Sequence, residues 1–185
     1  LTMLHLGNVD GYRHEKGVFS AKVTHGLHEC DLWLGDILQA LDVAGIREQT
    51  NVFVVSDHGQ IDVQGSVHPN VLLCRAGLIH LNPDGTVRDY QAMCKSTGAS
   101  CQVWLKDPAN RDVWQKTRDV LQAAADEGAY GIERIWTVEE TRREEHLDGG
   151  FSFVLETNGV YSFGNDWQGQ VIRGVDTRDY KLAHG

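Results

Sequence analysis

The sequence is poor in cysteine, in basic side chains and in long apolar runs. Four cysteines among 185 residues, with no CxxC pair and no zinc-finger spacing, exclude a disulfide scaffold and a structural zinc finger. Lysine and arginine number 17 against 26 acidic residues, which gives a net charge of -9. A basic face for a nucleic-acid polymer is therefore not expected, because nothing would neutralise a run of phosphates.

No apolar run approaches the roughly 20 residues of a membrane helix, and no signal peptide is visible. The compartment is left open by the sequence. The cysteines add little to this question, because Cys94 and Cys101 are compatible with either a disulfide or two free thiols. Cys30 falls on a helical apolar face and is predicted to be a core residue.

Two short apolar runs flank a long helical pattern at the start of the chain. Residues 1–8 are predicted to be a buried strand. Residues 51–56 are predicted to be another, because this short β-branched and aromatic run has no polar alternation. The apolar face of the helix between them is formed by Val23, Leu27, Cys30, Leu34, Ile37, Leu38 and Leu41. Strand, helix and strand together predict a right-handed βαβ unit. Since the chain opens within a predicted strand, we expect a piece of a longer protein.

The rest of the chain predicts shorter elements of both kinds. Further strands are predicted at residues 71–74, 99–106, 132–136 and 151–156. Asp107 and Pro108 supply an N-cap and a first-turn proline for another helix.

The predicted fold is α/β, a mainly parallel sheet flanked by helices. Residues 1–79 would form the core, residues 80–150 a small inserted α+β subdomain, and residues 151–185 a return to the core.

Three clusters of acidic and imidazole side chains carry the chemistry. Asp10 and His14 follow the first predicted strand, Asp57 and His58 follow the second, and His184 lies near the last residue. Ligands in open α/β sheets gather beyond the carboxyl ends of strands. Carboxylate and imidazole together suit Zn²⁺, and Mn²⁺ or iron accept them. Each pair alone is also common in loops and helix caps, so the order and strand context carry the metal hypothesis.

The run from Asp10 to Gly17 resembles the D-x-x-x-H-x-x-G segment of the alkaline phosphatase superfamily. Residues 54–59 resemble the strand-then-DHG signature of the same superfamily. One long helix fits between the two segments, and a long α+β stretch precedes the closing His-Gly. Over nearly its whole length the chain therefore resembles the type I phosphodiesterase/nucleotide pyrophosphatase branch.

The resemblance implies two divalent metal ions, with Zn²⁺ favoured and Mn²⁺ as the alternative. Asp10, His14 and His184 would hold one ion, and Asp57 and His58 would hold the second. In the family a Thr or Ser that opens a helix is the nucleophile. That residue and a further acidic ligand have no match here and are expected upstream of Leu1, so no catalytic residue is assigned within this chain.

The implied reaction is hydrolysis of a phosphodiester or nucleotide pyrophosphate bond in a small substrate, through transfer to the upstream Thr or Ser and then to water. Alternatives within the superfamily are a phosphomonoesterase, a phosphonate hydrolase and a sulfatase. A noncatalytic relative that binds a metal or phosphate is the alternative from another class. His68, shortly after the DHG loop, is a further candidate for substrate contact.

Overall fold

The computed structural model describes residues 1–174 and the backbone of residues 182 and 183. Two helices open it, α1 (Asn8–Lys16) and α2 (Ala21–Val43). The Ser20 side chain accepts a hydrogen bond from the Val23 N–H and so caps α2. Tyr12 of α1 packs on Gly26 of α2, where a Cβ would come within 2.7 Å of the tyrosine ring. Glycine at position 26 thus allows the two helices to approach, and the predicted long helix is confirmed.

The predicted strands at residues 1–8 and 51–56 are wrong. Residues 1–7 and 51–56 form no strand, and their apolar side chains are largely exposed; Phe53 and Val55 are 84% and 86% exposed. A strand exists only where a neighbouring strand pairs with its backbone, and an apolar strand also needs cover on both faces. Neither segment has such a neighbour in the described part of the chain. The predicted βαβ unit is therefore not observed there.

The sheets of the described residues are built from short strands. They are β1 (Ile61–Asp62), β2 (Gly65–Val67), β3 (Ile79–Leu81), β4 (Val87–Tyr90), β5 (Ala92–Ser96), β6 (Ser100–Leu105), β7 (Ile132–Thr137), β8 (Phe153–Thr157), β9 (Ser162–Phe163), β10 (Ile172–Gly174) and β11 (Leu182–Ala183). The largest sheet has the order β5-β6-β8-β7, and smaller sheets have the orders β10-β2-β9, β3-β4 and β1-β11.

The fold is mixed α/β, as predicted, but the expected mainly parallel sheet is not observed. Among the described strand pairs only β2 and β9 run parallel. A short turn joins β5 to β6, and so short a connection permits only antiparallel pairing, because parallel strands need a crossover of a dozen or more residues. The predicted strands near residues 99–106, 132–136 and 151–156 are confirmed as β6, β7 and β8. The division at residues 80 and 150 stays a prediction.

Three further helices pack around these sheets. Helix α3 (Pro69–Arg75) replaces the strand predicted at residues 71–74, because Pro69 in its first turn is pre-set for a helix. Helix α4 (Arg111–Glu127) begins later than predicted, since Asn110 rather than Asp107 caps it through the Val113 N–H. Helix α5 (Val138–Glu144) follows β7 directly. No helix in the described residues is long and apolar enough to span a membrane.

The main core lies between the four-stranded sheet and helices α3 and α4. Its fully buried side chains include Leu73, Val103, Leu121, Phe153 and Leu155. Cys94 and Cys101 are buried in it as free thiols, so the structure favours the unbridged alternative.

The prediction that Cys30 is a core residue is wrong. The side chain is only partly buried, and its thiol donates to the Asn8 Oδ1 at 3.3 Å. The apolar face of α2 is largely uncovered here, with Leu27 50% exposed.

The outer edge of β5 is closed by two asparagine side chains. The Cys94 N–H donates to the Asn70 Oδ1 at 2.7 Å, and the Asn70 amide returns a hydrogen bond to the Cys94 carbonyl at 2.8 Å. Two residues further along, the Ser96 N–H donates to the Asn165 Oδ1 at 2.8 Å. The asparagines thus satisfy backbone groups that a neighbouring strand would otherwise satisfy.

Candidate metal centre

Asp10 and His14 lie one helical turn apart on α1. The Asp10 Oδ1 is 3.4 Å from the His14 Nε2, with the histidine side chain mostly buried and the aspartate half-exposed. Residues at positions i and i+4 of a helix share a face, so α1 aims this carboxylate and this imidazole at the same space. The sequence placed the pair past a strand end, whereas the structure places it within a helix that starts at Asn8.

Asp57 and His58 lie in the exposed segment that precedes β1. The Asp57 Oδ2 is 3.5 Å from the His58 Nε2, and the other carboxylate oxygen accepts a hydrogen bond from the His58 backbone N–H at 3.1 Å. The His58 Nδ1 lies 3.1 Å from the Gly59 carbonyl. The pKa of Asp57 is lowered, first by a hydrogen bond from its own backbone N–H and then by the neighbouring His58 and His5. Asp57 is therefore ionised at neutral pH.

Gln60, two residues after His58 in the chain, contacts the first pair on α1. Its Nε2 donates to the Asp10 Oδ1 at 2.6 Å, and its Oε1 accepts from the Arg13 Nη1 at 3.3 Å. A second connection follows two residues later, where the Asp62 carboxylate accepts from the Val18 N–H at 3.2 Å. The segment after the DHG motif is thereby hydrogen-bonded to α1 and to Val18 just beyond it.

The donor chemistry and spacing fit divalent metal binding. In a tetrahedral zinc site with bonds of about 2.0–2.1 Å, neighbouring donor atoms are about 3.3–3.4 Å apart. The separations of 3.4 Å in the Asp10–His14 pair and 3.5 Å in the Asp57–His58 pair match one edge of such a tetrahedron. Each pair would supply two ligands. Within the described residues no group of three or more His, Cys, Asp or Glu side chains is placed to hold a metal, and His184 lies outside them.

His68 belongs to a second polar cluster that resembles a hydrolytic triad only in residue type. Its Nε2 lies 2.9 Å from the Ser66 Oγ, and its Nδ1 is 3.5 Å from the Asp166 carboxylate. However, Nδ1 accepts a hydrogen bond from the Asp166 backbone N–H at 3.1 Å. Nε2 must then carry the proton and donate to the serine, which is the reverse of general-base activation.

His68, the candidate for substrate contact, is buried. Its ring packs so closely on Gly164 that a Cβ there would lie 2.3 Å from the His68 Cε1. Burial, the largest effect, lowers the pKa of His68; Arg173 lowers it further, while Asp166 opposes both. A neutral His68 therefore fastens β2 to the loop that contains Asp166.

Gln60 is a functional candidate that lies outside the sequence motifs. A lone glutamine has no sequence signature, and only its position next to the DHG motif could have drawn attention to it.

A comparison with family models matches residues 1–185 to the model described as type I phosphodiesterase / nucleotide pyrophosphatase. A comparison with curated proteins gives no match.

Proposed function

The chain belongs to the type I phosphodiesterase/nucleotide pyrophosphatase family, and from that premise we propose that it serves metal-dependent hydrolysis of phosphodiester or nucleotide pyrophosphate bonds. The family indicates a hydrolase of this type. The substrate would be a small phosphodiester or nucleotide, since a net charge of -9 does not favour binding of a polyanion.

The observation that supports the proposal is the close approach of carboxylate and imidazole in two pairs, 3.4 Å in Asp10–His14 and 3.5 Å in Asp57–His58. Gln60, two residues after His58, also donates a hydrogen bond to Asp10. We assign Asp10 and His14, with His184, to one divalent ion and Asp57 with His58 to a second. Zn²⁺ is favoured by this mixture of oxygen and nitrogen donors, and Mn²⁺ is the alternative. When bound, the ions would supply Lewis-acid chemistry and offset the negative charge of the chain near a phosphate.

The residues of this chain prepare the centre in three ways. Helix α1 fixes the direction in which Asp10 and His14 point. The lowered pKa of Asp57 keeps its carboxylate ionised and available as a donor at neutral pH. His68 does not activate Ser66 as a general base, because its Nε2 donates a hydrogen bond to the Ser66 Oγ rather than accepting one. The nucleophile is assigned to a Thr or Ser upstream of Leu1.

Metal content and turnover test this function separately. Elemental analysis of the purified protein would show up to two equivalents of zinc or manganese. The Asp10→Ala/His184→Ala and Asp57→Ala/His58→Ala double variants would each lose about one equivalent. His25→Ala is the matched control, because His25 also faces an acidic residue one turn away, Glu29 on α2, at 3.6 Å.

Hydrolysis of bis-p-nitrophenyl phosphate by the intact protein, with and without chelator, measures turnover. Chelation should abolish product formation, and the two double variants should be inactive while His25→Ala is not. If both double variants bind as much metal as the parent protein, the assignment of these residues as metal ligands is refuted. Stoichiometric metal without hydrolysis of any phosphodiester would instead support the noncatalytic alternative.

A further inference from the structure

Gln60 makes one donated and one accepted hydrogen bond with α1, a pattern that its amide group supplies. Its amide nitrogen donates to the Asp10 Oδ1 at 2.6 Å, and its amide oxygen accepts from the Arg13 Nη1 at 3.3 Å. A guanidinium only donates hydrogen bonds and a carboxylate only accepts them, so the two neighbours fix the orientation of the amide. Glutamate would lose the donor, lysine the acceptor and methionine both.

The carboxylate oxygen that Gln60 contacts is the one that faces His14. Asp10 Oδ1 lies 3.4 Å from the His14 Nε2 and accepts the Gln60 hydrogen bond on another side. Asp10 is half-exposed, so its carboxylate would otherwise be free to rotate in solvent. Hydrogen bonds of this kind orient metal-binding carboxylates, and losing one typically weakens metal affinity by about 10- to 100-fold.

Gln60 also lies one residue beyond the DHG motif. The preceding segment, residues 51–56, forms no strand and is exposed, so little regular structure fixes the position of Asp57 and His58. The two hydrogen bonds from Gln60 to α1 supply part of that restraint. Its own amide oxygen faces Arg13, which makes it unsuited to serve as a metal ligand.

We propose that Gln60 is a positioning residue of the metal centre: it orients the Asp10 carboxylate and couples the Asp57–His58 segment to α1. The proposal rests on the function inferred above.

The test compares Gln60→Met with Gln122→Met in the otherwise unchanged protein. Methionine keeps the length of the side chain and removes both polar groups. Gln122 donates to Asp126 at 2.8 Å on the exposed surface of α4, so the control loses the same type of hydrogen bond elsewhere. Zinc affinity would be measured by competition with a chromophoric chelator. The metal-free proteins would be compared by urea unfolding and by amide hydrogen exchange.

We expect zinc affinity to fall by about 10- to 100-fold in Gln60→Met and to stay at the parent value in Gln122→Met. The unfolding midpoints of the two variants should agree, while hydrogen exchange in residues 57–60 should be faster in Gln60→Met only. Parent-like zinc affinity in Gln60→Met, in a protein whose affinity does depend on Asp10, would overturn the positioning role and leave the proposed function standing. If the protein binds no zinc, or if Asp10→Ala binds zinc as tightly as the parent protein, both the positioning role and the proposed function are overturned.

Discussion

The asparagine that closes the outer edge of β5 offers a sharp stability prediction. Asn70 is fully buried, and its side chain makes two hydrogen bonds to the backbone of Cys94 and one to the carbonyl of Asn165. Asn70→Leu keeps the branching and the number of side-chain heavy atoms but leaves the N–H and the carbonyl of Cys94 without these partners. Each buried group left unsatisfied costs about 1–3 kcal/mol. Allowing for the gain from burying leucine, we expect a loss of about 2–4 kcal/mol.

The assay is urea unfolding followed by tryptophan fluorescence. Trp114 reports on this core because its ring centroid lies 4.8 Å from that of Phe153. In thermal unfolding the same loss corresponds to a fall in the midpoint of about 5–15 °C for a chain of this size. Asn82→Leu is the matched control: its amide donates to the Thr86 side chain at an exposed turn, and a change within about 0.5 kcal/mol is expected.

A second substitution at the same position separates hydrogen bonding from packing. Asn70→Asp keeps the acceptor for the Cys94 N–H but directs its other oxygen at the carbonyls of Cys94 and Asn165. Only a protonated carboxyl can donate there, so its folded-state pKa is raised above the unfolded value of about 3.9. The folded state then binds the proton more tightly, and the destabilisation should diminish as pH falls through the raised pKa. The reasoning is refuted if Asn70→Leu costs no more than the exposed control.

Three further outcomes follow from the polar clusters. Burial lowers the folded-state pKa of His68, so the unfolded chain takes up the proton first; the stability due to neutral His68 is present above about pH 6.5 and is lost as pH falls towards the folded pKa. Urea titrations should therefore show a shallower loss from pH 7 to pH 5 in His68→Gln. Ser66→Ala should hydrolyse bis-p-nitrophenyl phosphate at the parent rate, and a loss of several orders of magnitude would contradict the proton placement. Thr137→Ala removes the hydrogen bonds by which Thr137 and Glu140 cap the start of α5. We expect the free energy of unfolding in urea to fall by about 1 kcal/mol, and an unchanged midpoint would contradict this capping role.

The helices that the sequence predicts correctly are encoded within their own residues, whereas the confirmed strands β6, β7 and β8 also depend on the partners they find in one sheet. Helices α2 and α4 follow from apolar side chains at three- and four-residue steps, a signal that does not depend on neighbours. The strands predicted at residues 1–8 and 51–56 fail for the opposite reason, since a strand is defined by pairing with another segment. Periodicity also identifies which face of α2 is apolar without indicating what covers it. The sequence predicts a strand where helix α3 lies, because a short apolar run has no periodicity that distinguishes a strand from a helix.

The residues of the candidate centre also differ in whether the sequence alone could identify them. Asp10 with His14 and Asp57 with His58 could be selected by residue type and spacing, and the structure brings each pair within 3.4–3.5 Å. Their assignment as metal ligands, together with His184, stays a prediction. Gln60 could not be selected, because its role depends on a contact with α1 that only folding creates.

The thiol of Cys30 has a practical consequence for inhibition experiments. It is partly accessible and donates to Asn8, the first residue of the helix that bears Asp10 and His14. A maleimide or mercurial attached there would break that hydrogen bond and push apart two helices that meet closely at Gly26. Inactivation by thiol reagents would then result from a displacement of α1, which carries Asp10 and His14. It would not identify a cysteine in the chemistry, and Cys30→Ser should resist the reagent while remaining active.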